Sequence, residues 1–163
     1  MLEDNSMTTP VTIELDRKGI PYKFFAHPGQ LQSLEQAARE RGQLLEQVIR
    51  SILFRLSEDE FVMVLVAGPK QISWTKLRNY LGQSRMTMAS EKEVIRMTGY
   101  PLGAVSPFGL EKPIRIIIDK RVLKQSEVSI GSGVRHTTVI MKKEDLINAL
   151  GDIEVGDFLE ETN

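Results

Sequence analysis

The stretch best suited to chemistry is a loop rich in glycine and proline over residues 98–109, with the sequence TGYPLGAVSPFG. It excludes a continuous helix or strand, because glycine opens backbone angles closed to other residues and proline lacks an amide donor. Tyr100 and Phe108 provide aromatic anchors for the loop. A bare backbone held between anchors can aim its N–H groups at an oxygen, as an oxyanion hole does. The loop therefore indicates either a site that stabilises negative charge or an ordinary surface connection.

Arg50 is the second candidate, because it lies in an apolar stretch that reads as a strand, Val48–Phe54. Side chains alternate between the faces of a strand, so Arg50 shares a face with Ile52 and Phe54, and Ser51 lies on the opposite face. A guanidinium on an apolar stripe either sits at the rim of the sheet with its head in water or enters a pocket to bind phosphate or carboxylate. Both interpretations stay open at this point.

The remaining candidates are weaker. His27 stands at a strand end between alanine and proline, and His136 precedes another strand. Two histidines without a suitably spaced carboxylate make no metal motif, so no metal is expected. The absence of cysteine from the sequence excludes thiol catalysis and zinc–thiolate sites. A second glycine turn, Gly131–Gly133, either wraps a ligand opposite the first loop or forms a bulge or hairpin.

The composition of the chain indicates the number of domains, the kind of partner and the cellular location. A chain of 163 residues with 41% hydrophobic content predicts one domain with its own core. The net charge of -1 does not indicate nucleic-acid binding, although a local basic patch would be enough to bind a nucleic acid. The acidic start lacks an apolar signal segment and no run reaches membrane-spanning length, so we expect a cytoplasmic protein without a membrane partner. We expect a flexible tail over residues 1–8 and a mobile acidic tail over 151–163, in which Phe158 and Leu159 could dock.

The elements that must position these candidates alternate irregularly between helix and strand. Thr9–Pro10 and Ser33 begin helices, and Ser33 and Ser90 each open a capping box. Two buried strands joined at residues 57–60 predict a hairpin. Further strands are expected over 22–26, 85–89, 114–118, 127–130 and 137–141, with helices over 73–81 and 144–150. Because strict βα alternation is absent, the chain predicts a single compact α+β domain whose mixed, largely antiparallel sheet is flanked by helices.

The order of these pieces resembles the YbaK/EbsC family of aminoacyl-tRNA deacylases, which is related to the editing domain inserted in bacterial prolyl-tRNA synthetases. The resemblance covers roughly residues 9–150, and the glycine–proline loop is its most specific part. It is carried by residues 33–38, 48–54, 61–67, 89–94, 98–109, 116–119 and 131–133. It implies an α+β fold, no cofactor, and a pocket that hydrolyses the ester joining a wrong amino acid to the 3′-terminal adenosine of tRNA. The implied partners are aminoacyl-tRNA and a synthetase.

The resemblance also implies roles for individual residues. The backbone amides of the loop would polarise the ester carbonyl or hold the attacking water, with the ribose hydroxyl of the substrate assisting. The implied catalytic residues are Gly103, Ala104, Val105, Ser106 and Arg50. The implied substrate-binding residues are Ser51, His27, Pro107, Ser132, Gly133 and Thr138.

Two positions depart from the family pattern. Family deacylases carry lysine followed by threonine where this chain has Arg50–Ser51, and often an acidic residue where it has Thr137–Thr138. Arginine keeps the charge but does not reproduce a compact ammonium group. Three hypotheses therefore stand: a deacylase acting in trans, a catalytically silent module that binds tRNA or a protein partner, and a hydrolase of free aminoacyl esters or thioesters.

Overall fold

The computed structural model describes residues 7–161, so the predicted tail over residues 1–8 lies largely outside the described residues. The α-helices within that range are α1 Pro10–Arg17, α2 Leu34–Arg41, α3 Trp74–Leu81, α4 Glu91–Thr98 and α5 Lys143–Leu150. The strands are β1 Lys23–Ala26, β2 Ile49–Ser57, β3 Glu60–Ala67, β4 Thr87–Met88, β5 Arg115–Asp119, β6 Glu127–Gly131, β7 Thr137–Lys142 and β8 Glu154–Gly156. Among the described residues, no helix is long and apolar enough to cross a bilayer.

The strands form two sheets. A three-stranded antiparallel sheet has the order β1–β7–β6, and a five-stranded mixed sheet has the order β4–β2–β3–β5–β8. In the larger sheet β2 pairs antiparallel with β3 and β4, whereas β5 pairs parallel with β3 and β8. A parallel bridge between Val48 and Ser129 joins the two sheets just before β2 begins. The predicted α+β class is confirmed, with the strands divided between two sheets rather than gathered in one.

The core lies on both faces of β3. This strand is buried from Phe61 to Ala67, because it is central in its sheet and covered on each side. Its alternate residues feed different clusters: Met63 and Leu65 join the larger core, and Val62 and Val64 join the smaller one. The hairpin thus pairs β2, which carries Arg50 and Ser51, with the buried strand β3.

Helix starts follow the predicted caps with one difference. Ser90 and Glu93 form the reciprocal capping box expected at α4. Ser33 caps α2 by accepting from the Gln36 amide at 3.0 Å, but the Gln36 side chain accepts from the Gln32 amide instead of completing a box. The α2 start is therefore tied to the preceding loop, which matters because that loop borders the cavity described below.

The prediction of a mobile acidic tail is corrected by the structure for residues 154–159. Strand β8 adds to the edge of the larger sheet beside β5, and Phe158 and Leu159 are fully buried. The acidic charge is offset locally, since Asp157 accepts hydrogen bonds from Lys76 and Arg121. Burial of two large apolar side chains outweighs the cost of ordering these few residues.

Asp157 makes part of this docking pH-dependent. The Arg121 guanidinium, followed by Lys76, lowers the pKa of Asp157 from 3.8 to about 2. A carboxyl group with a depressed pKa stabilises the fold above its unfolded pKa, and loses that contribution as pH falls through the folded pKa. Because the side chain is 36% exposed, we expect Asp157→Asn to cost about 1 kcal/mol near neutral pH after solvent screening.

This cost should shrink between about pH 4 and about pH 2. Urea unfolding of both proteins across that range measures it. A difference between the two proteins that stays constant down to about pH 2 would contradict the assignment.

Candidate functional site

A cavity of about 450 Å³ lies where the two sheets meet. Its walls come from the loop before α2 and the inner face of that helix, the start of β2, the glycine–proline loop, the end of β6 and the start of β7. Five predicted site residues line it: Arg50, Ser51, Gly103, Val105 and Thr138. Gly131 of the second glycine turn also lines it, and so do residues that the sequence analysis did not assign to the site, including Arg41, Ala37 and Ile130.

The glycine–proline loop is anchored by its aromatic residues as predicted. Tyr100 and Phe108 are both buried, and the Tyr100 hydroxyl donates to the Phe108 carbonyl at 2.6 Å. Burial raises the pKa of Tyr100, so the phenol stays protonated and remains a donor. The Gly109 amide donates to the Glu14 carboxylate at 3.2 Å, which ties the far end of the loop to α1. The loop is therefore a fixed part of the cavity wall.

The second glycine turn supports the first loop directly. A Cβ at Gly131 would lie 2.8 Å from the Val105 carbonyl carbon and 3.0 Å from that of Ala104. The Gly133 amide donates to the Ala104 carbonyl at 3.0 Å. Ser132 is buried and donates to the Val134 carbonyl. Ser132 and Gly133, predicted to bind substrate, thus lie outside the cavity lining and shape the turn.

The loop amides differ in their availability. The Ala104 amide donates to the Pro101 carbonyl at 3.1 Å, so the predicted role for this amide does not fit this conformation. Within residues 7–161, the amides of Gly103, Val105 and Ser106 have no protein acceptor. Only Gly103 and Val105 of these three line the cavity. Ser106 is fully buried and the neighbouring Pro107 is buried, and both lie outside the lining.

Arg50 matches neither of the two positions that the sequence allowed, a solvated rim of the sheet or an anion-binding pocket. Arg50 lines the cavity, but its Nε donates to the Gly68 carbonyl at 2.7 Å and its Nη2 donates to the Lys70 carbonyl. Burial lowers the pKa of Arg50. The guanidinium therefore uses two of its nitrogens to hold the turn after β3. Beside it, the Ser51 hydroxyl is buried without a partner among the described residues.

His27 lies behind the cavity rather than in its lining. Its Nδ1 is 2.7 Å from Glu40 Oε1, and its Nε2 accepts from Arg41 Nε at 3.0 Å. An arginine Nε always donates, so His27 Nε2 carries no proton and the Nδ1 proton points at Glu40. His27 is therefore a neutral ring that orients Arg41. The cavity lining does not include His27, which was predicted to bind substrate.

Arg41 is the site residue that sequence reasoning missed. It shares the inner face of α2 with Leu34 and Ala37, at helical spacings of seven and four residues, and all three line the cavity. Its Nη1 donates to Ser129 Oγ at 3.0 Å. Burial lowers the pKa of Arg41 to about 10, which still leaves it protonated at neutral pH. The helical spacing was visible in the sequence, but an arginine in the last turn of a polar helix usually indicates a solvated end.

The cavity lining holds no group able to act as a base near neutral pH. Among its described residues the ionisable ones are Arg41 and Arg50. The Thr138 hydroxyl donates to the Ile130 carbonyl and that of Thr137 to the Val134 carbonyl, both at 2.7 Å. No cluster of three or more acidic or histidine side chains that could hold a metal occurs within the described part of the chain. The arrangement favours electrostatic stabilisation by donors.

Comparison with known sequences finds a match between residues 27–149 and the aminoacyl-tRNA editing domain. The proline–tRNA ligase of Brachyspira hyodysenteriae is 34% identical over 107 residues, which cover 64% of this chain and 18% of the ligase. The chain thus matches about a fifth of the length of that ligase. The uncharacterized protein YwhH of Bacillus subtilis is 29% identical over 114 residues, covering 70% of this chain and 72% of YwhH.

Solved structures share the fold. A proposed trans-editing enzyme for prolyl-tRNA synthetase superposes with a TM-score of 0.84 at 24% identity, covering 96% of this chain and all of the other. The hypothetical protein APE2540 gives a TM-score of 0.83 at 21% identity over 93% of this chain. At such identities the likeness establishes the fold.

Proposed function

The chain belongs to the aminoacyl-tRNA editing domain family, and on that premise we propose that it hydrolyses the ester of mischarged aminoacyl-tRNA in trans. The observation that carries the proposal is the cavity, which lies inside the matched span and brings the loop at Gly103 and Val105 together with the start of β2. A synthetase site discriminates poorly between similar small apolar side chains, and a second pocket that hydrolyses errors supplies the missing discrimination.

The reaction needs little from protein side chains. Water adds to the ester carbonyl carbon, and the resulting tetrahedral oxyanion collapses with cleavage of the bond to the ribose oxygen. That oxygen takes one proton, the amino acid leaves as a carboxylate, and the second proton goes to solvent. The free amides of Gly103 and Val105 are the donors we assign to the oxyanion. With only guanidinium groups ionisable in the lining, the vicinal ribose hydroxyl is the group we assign to orient the water.

A panel of mischarged tRNAs tests the proposal. The purified protein is incubated with each tRNA, and released amino acid is measured against a protein-free blank. We expect turnover of at least one mischarged tRNA and none of its correctly charged counterpart. The same aminoacyl group on free adenosine separates this proposal from a hydrolase of small esters, since the latter would need no tRNA body. Release indistinguishable from the blank across the panel would defeat the enzyme proposal.

Arg50 variants probe the wall of the cavity. We expect Arg50→Ala to lower kcat/KM roughly tenfold, because it removes two hydrogen bonds that hold the turn after β3. Arg50→Lys should retain most activity, since an ammonium group can reach one of the two carbonyls. Arg55→Ala, a change on the exposed part of the same strand, is the matched control. Parental rates for both Arg50 variants would exclude Arg50 from the site.

A second candidate is a catalytically silent module that binds tRNA. It is favoured by the engagement of the Arg50 guanidinium with backbone carbonyls, in the place where family deacylases carry lysine. Titration with uncharged tRNA separates the two. Tight binding together with no turnover on the panel supports the module, and turnover excludes it.

A further inference from the structure

Arg41 is a cation in the cavity wall whose direct partners are both neutral. Its Nε donates to the imidazole of His27 and its Nη1 to the hydroxyl of Ser129. The neighbouring carboxylate, Glu40, contacts the opposite nitrogen of the His27 ring. No ion pair of Arg41 with a carboxylate within 4.0 Å occurs among the described residues.

Such an arrangement leaves the charge of a cavity-lining residue without an opposite charge beside it. Buried charges in proteins are normally paired, because removing an ion from water is costly unless an opposite charge compensates. A neutral imidazole and a hydroxyl satisfy hydrogen bonds without cancelling the charge. Glu40 lies on the far side of the His27 ring from Arg41 and attracts it only from that distance. Burial outweighs this attraction, so the pKa of Arg41 is lowered.

A second observation points to a ligand at the same place. The hydroxyl of Ser51 is buried without a partner among the described residues, and Ser51 lines the cavity with Arg41. An unmade hydrogen bond of this kind carries a desolvation cost that a bound acceptor would remove. A cation and a free donor in one lining favour an oxyanion as the bound group.

We propose that Arg41 binds a negatively charged group of the ligand, with the Ser51 hydroxyl as a second donor and His27 as the residue that positions the guanidinium. The inference rests on the proposed function in taking that ligand to be an aminoacylated 3′-terminal nucleotide. Two groups of such a ligand carry the required oxygens: the carboxylate of an acidic aminoacyl side chain and the 5′-phosphate of the nucleotide. Either can accept from the N–H groups of Arg41 that His27 and Ser129 leave unused.

Four non-hydrolysable probes distinguish these sources. They are 3′-(aspartylamino)-3′-deoxyadenosine and its asparaginyl isostere, each with and without a 5′-phosphate. Binding to the full chain is measured by isothermal titration calorimetry at low salt. We expect at least roughly tenfold tighter binding from one of the two anions, either aspartyl over asparaginyl or phosphorylated over unphosphorylated. The pair that shows the preference identifies the source.

Matched variants assign the preference to Arg41. Arg41→Gln should abolish it, while Arg39→Gln, the same change on the exposed face of the same helix, should leave it intact. Arg41→Lys should keep a reduced preference, because the charge remains and the fork is lost. His27→Phe should weaken binding of the preferred anionic probe more than binding of its neutral counterpart. A general loss of packing would weaken binding of both probes alike.

The proposal is overturned if the wild-type protein shows neither preference, or if Arg39→Gln reduces it as much as Arg41→Gln. The wild-type comparison does not depend on any variant folding. Failure of the proposed function is a separate result: hydrolysis absent from the tRNA panel with an Arg41-dependent anion preference retained removes the enzyme and keeps the anion site. Hydrolysis together with no anion preference keeps the enzyme proposal and removes the anion site.

Discussion

Gly131→Ala should reduce hydrolysis by roughly a hundredfold or more while leaving the protein folded. The added methyl group would overlap the Val105 carbonyl and crowd that of Ala104, so the glycine–proline loop must move away from β6. The two amides that we assign to the oxyanion, Gly103 and Val105, lie in the part of the loop that moves. A preorganised donor loses most of its value when displaced by even about 1 Å.

The measurement is kcat/KM on the most active tRNA of the panel, together with thermal melting of the variant. Gly29→Ala is the matched control, because its Cβ would meet nothing within 4 Å and its φ is not positive. Amide hydrogen exchange at Ala104 and Gly133, which donate to the Pro101 and Ala104 carbonyls, gives a readout that does not require catalysis, and it should quicken in Gly131→Ala only. Unchanged exchange and unchanged activity would contradict the role of Gly131.

Asp119→Ala should destabilise the protein by about 3–5 kcal/mol. The Asp119 carboxylate is fully buried and accepts from the Arg121 amide, the Arg121 guanidinium and the Phe158 amide. Removing it leaves the Arg121 and Phe158 amides without their acceptor and takes one of two carboxylates from the Arg121 guanidinium, which keeps Asp157. The loss exceeds that of an ordinary surface ion pair, because these groups are already withdrawn from water.

Urea unfolding at neutral pH measures the effect, and Asp152→Ala, in the exposed turn before β8, is the matched control. Asp119→Asn keeps one acceptor oxygen and should fall between the two. Limited proteolysis should also cut Asp119→Ala near β8 before it cuts elsewhere. Equal stability of the Asp119 and Asp152 variants would show that the carboxylate does not secure the C-terminal strand.

The sequence predicted the parts of the fold that depend on neighbouring residues. Serine caps, glycine stops and the β2–β3 hairpin are set within a few positions, so α4 and the hairpin fall where expected. Strand β8 was missed because its pairing with β5 joins segments far apart in the chain, and its acidic composition resembles a solvated tail. Docking of Phe158 was anticipated from the sequence, but the place where it is buried is a tertiary effect that no local pattern contains.

The same distinction applies to the site. The glycine–proline loop was conspicuous, and its aromatic anchors were correctly predicted from composition alone. Two hydrogen bonds were not predictable: the Ala104 amide donates to the Pro101 carbonyl, and the Arg50 guanidinium donates to the Gly68 carbonyl. Both depend on the three-dimensional arrangement of turns and side chains. Arg41 entered the cavity because the orientation of α2 is fixed by packing, which the sequence does not specify.

The bridge at Ser129 has a mechanical consequence. Its backbone pairs with Val48 to hinge one sheet on the other, while its hydroxyl holds the Arg41 guanidinium. Any change in the angle between the sheets must therefore carry this charge with it and alter the width of the space between them. Substitutions deep in either hydrophobic cluster, remote from any ligand, would retune which molecules this protein accepts.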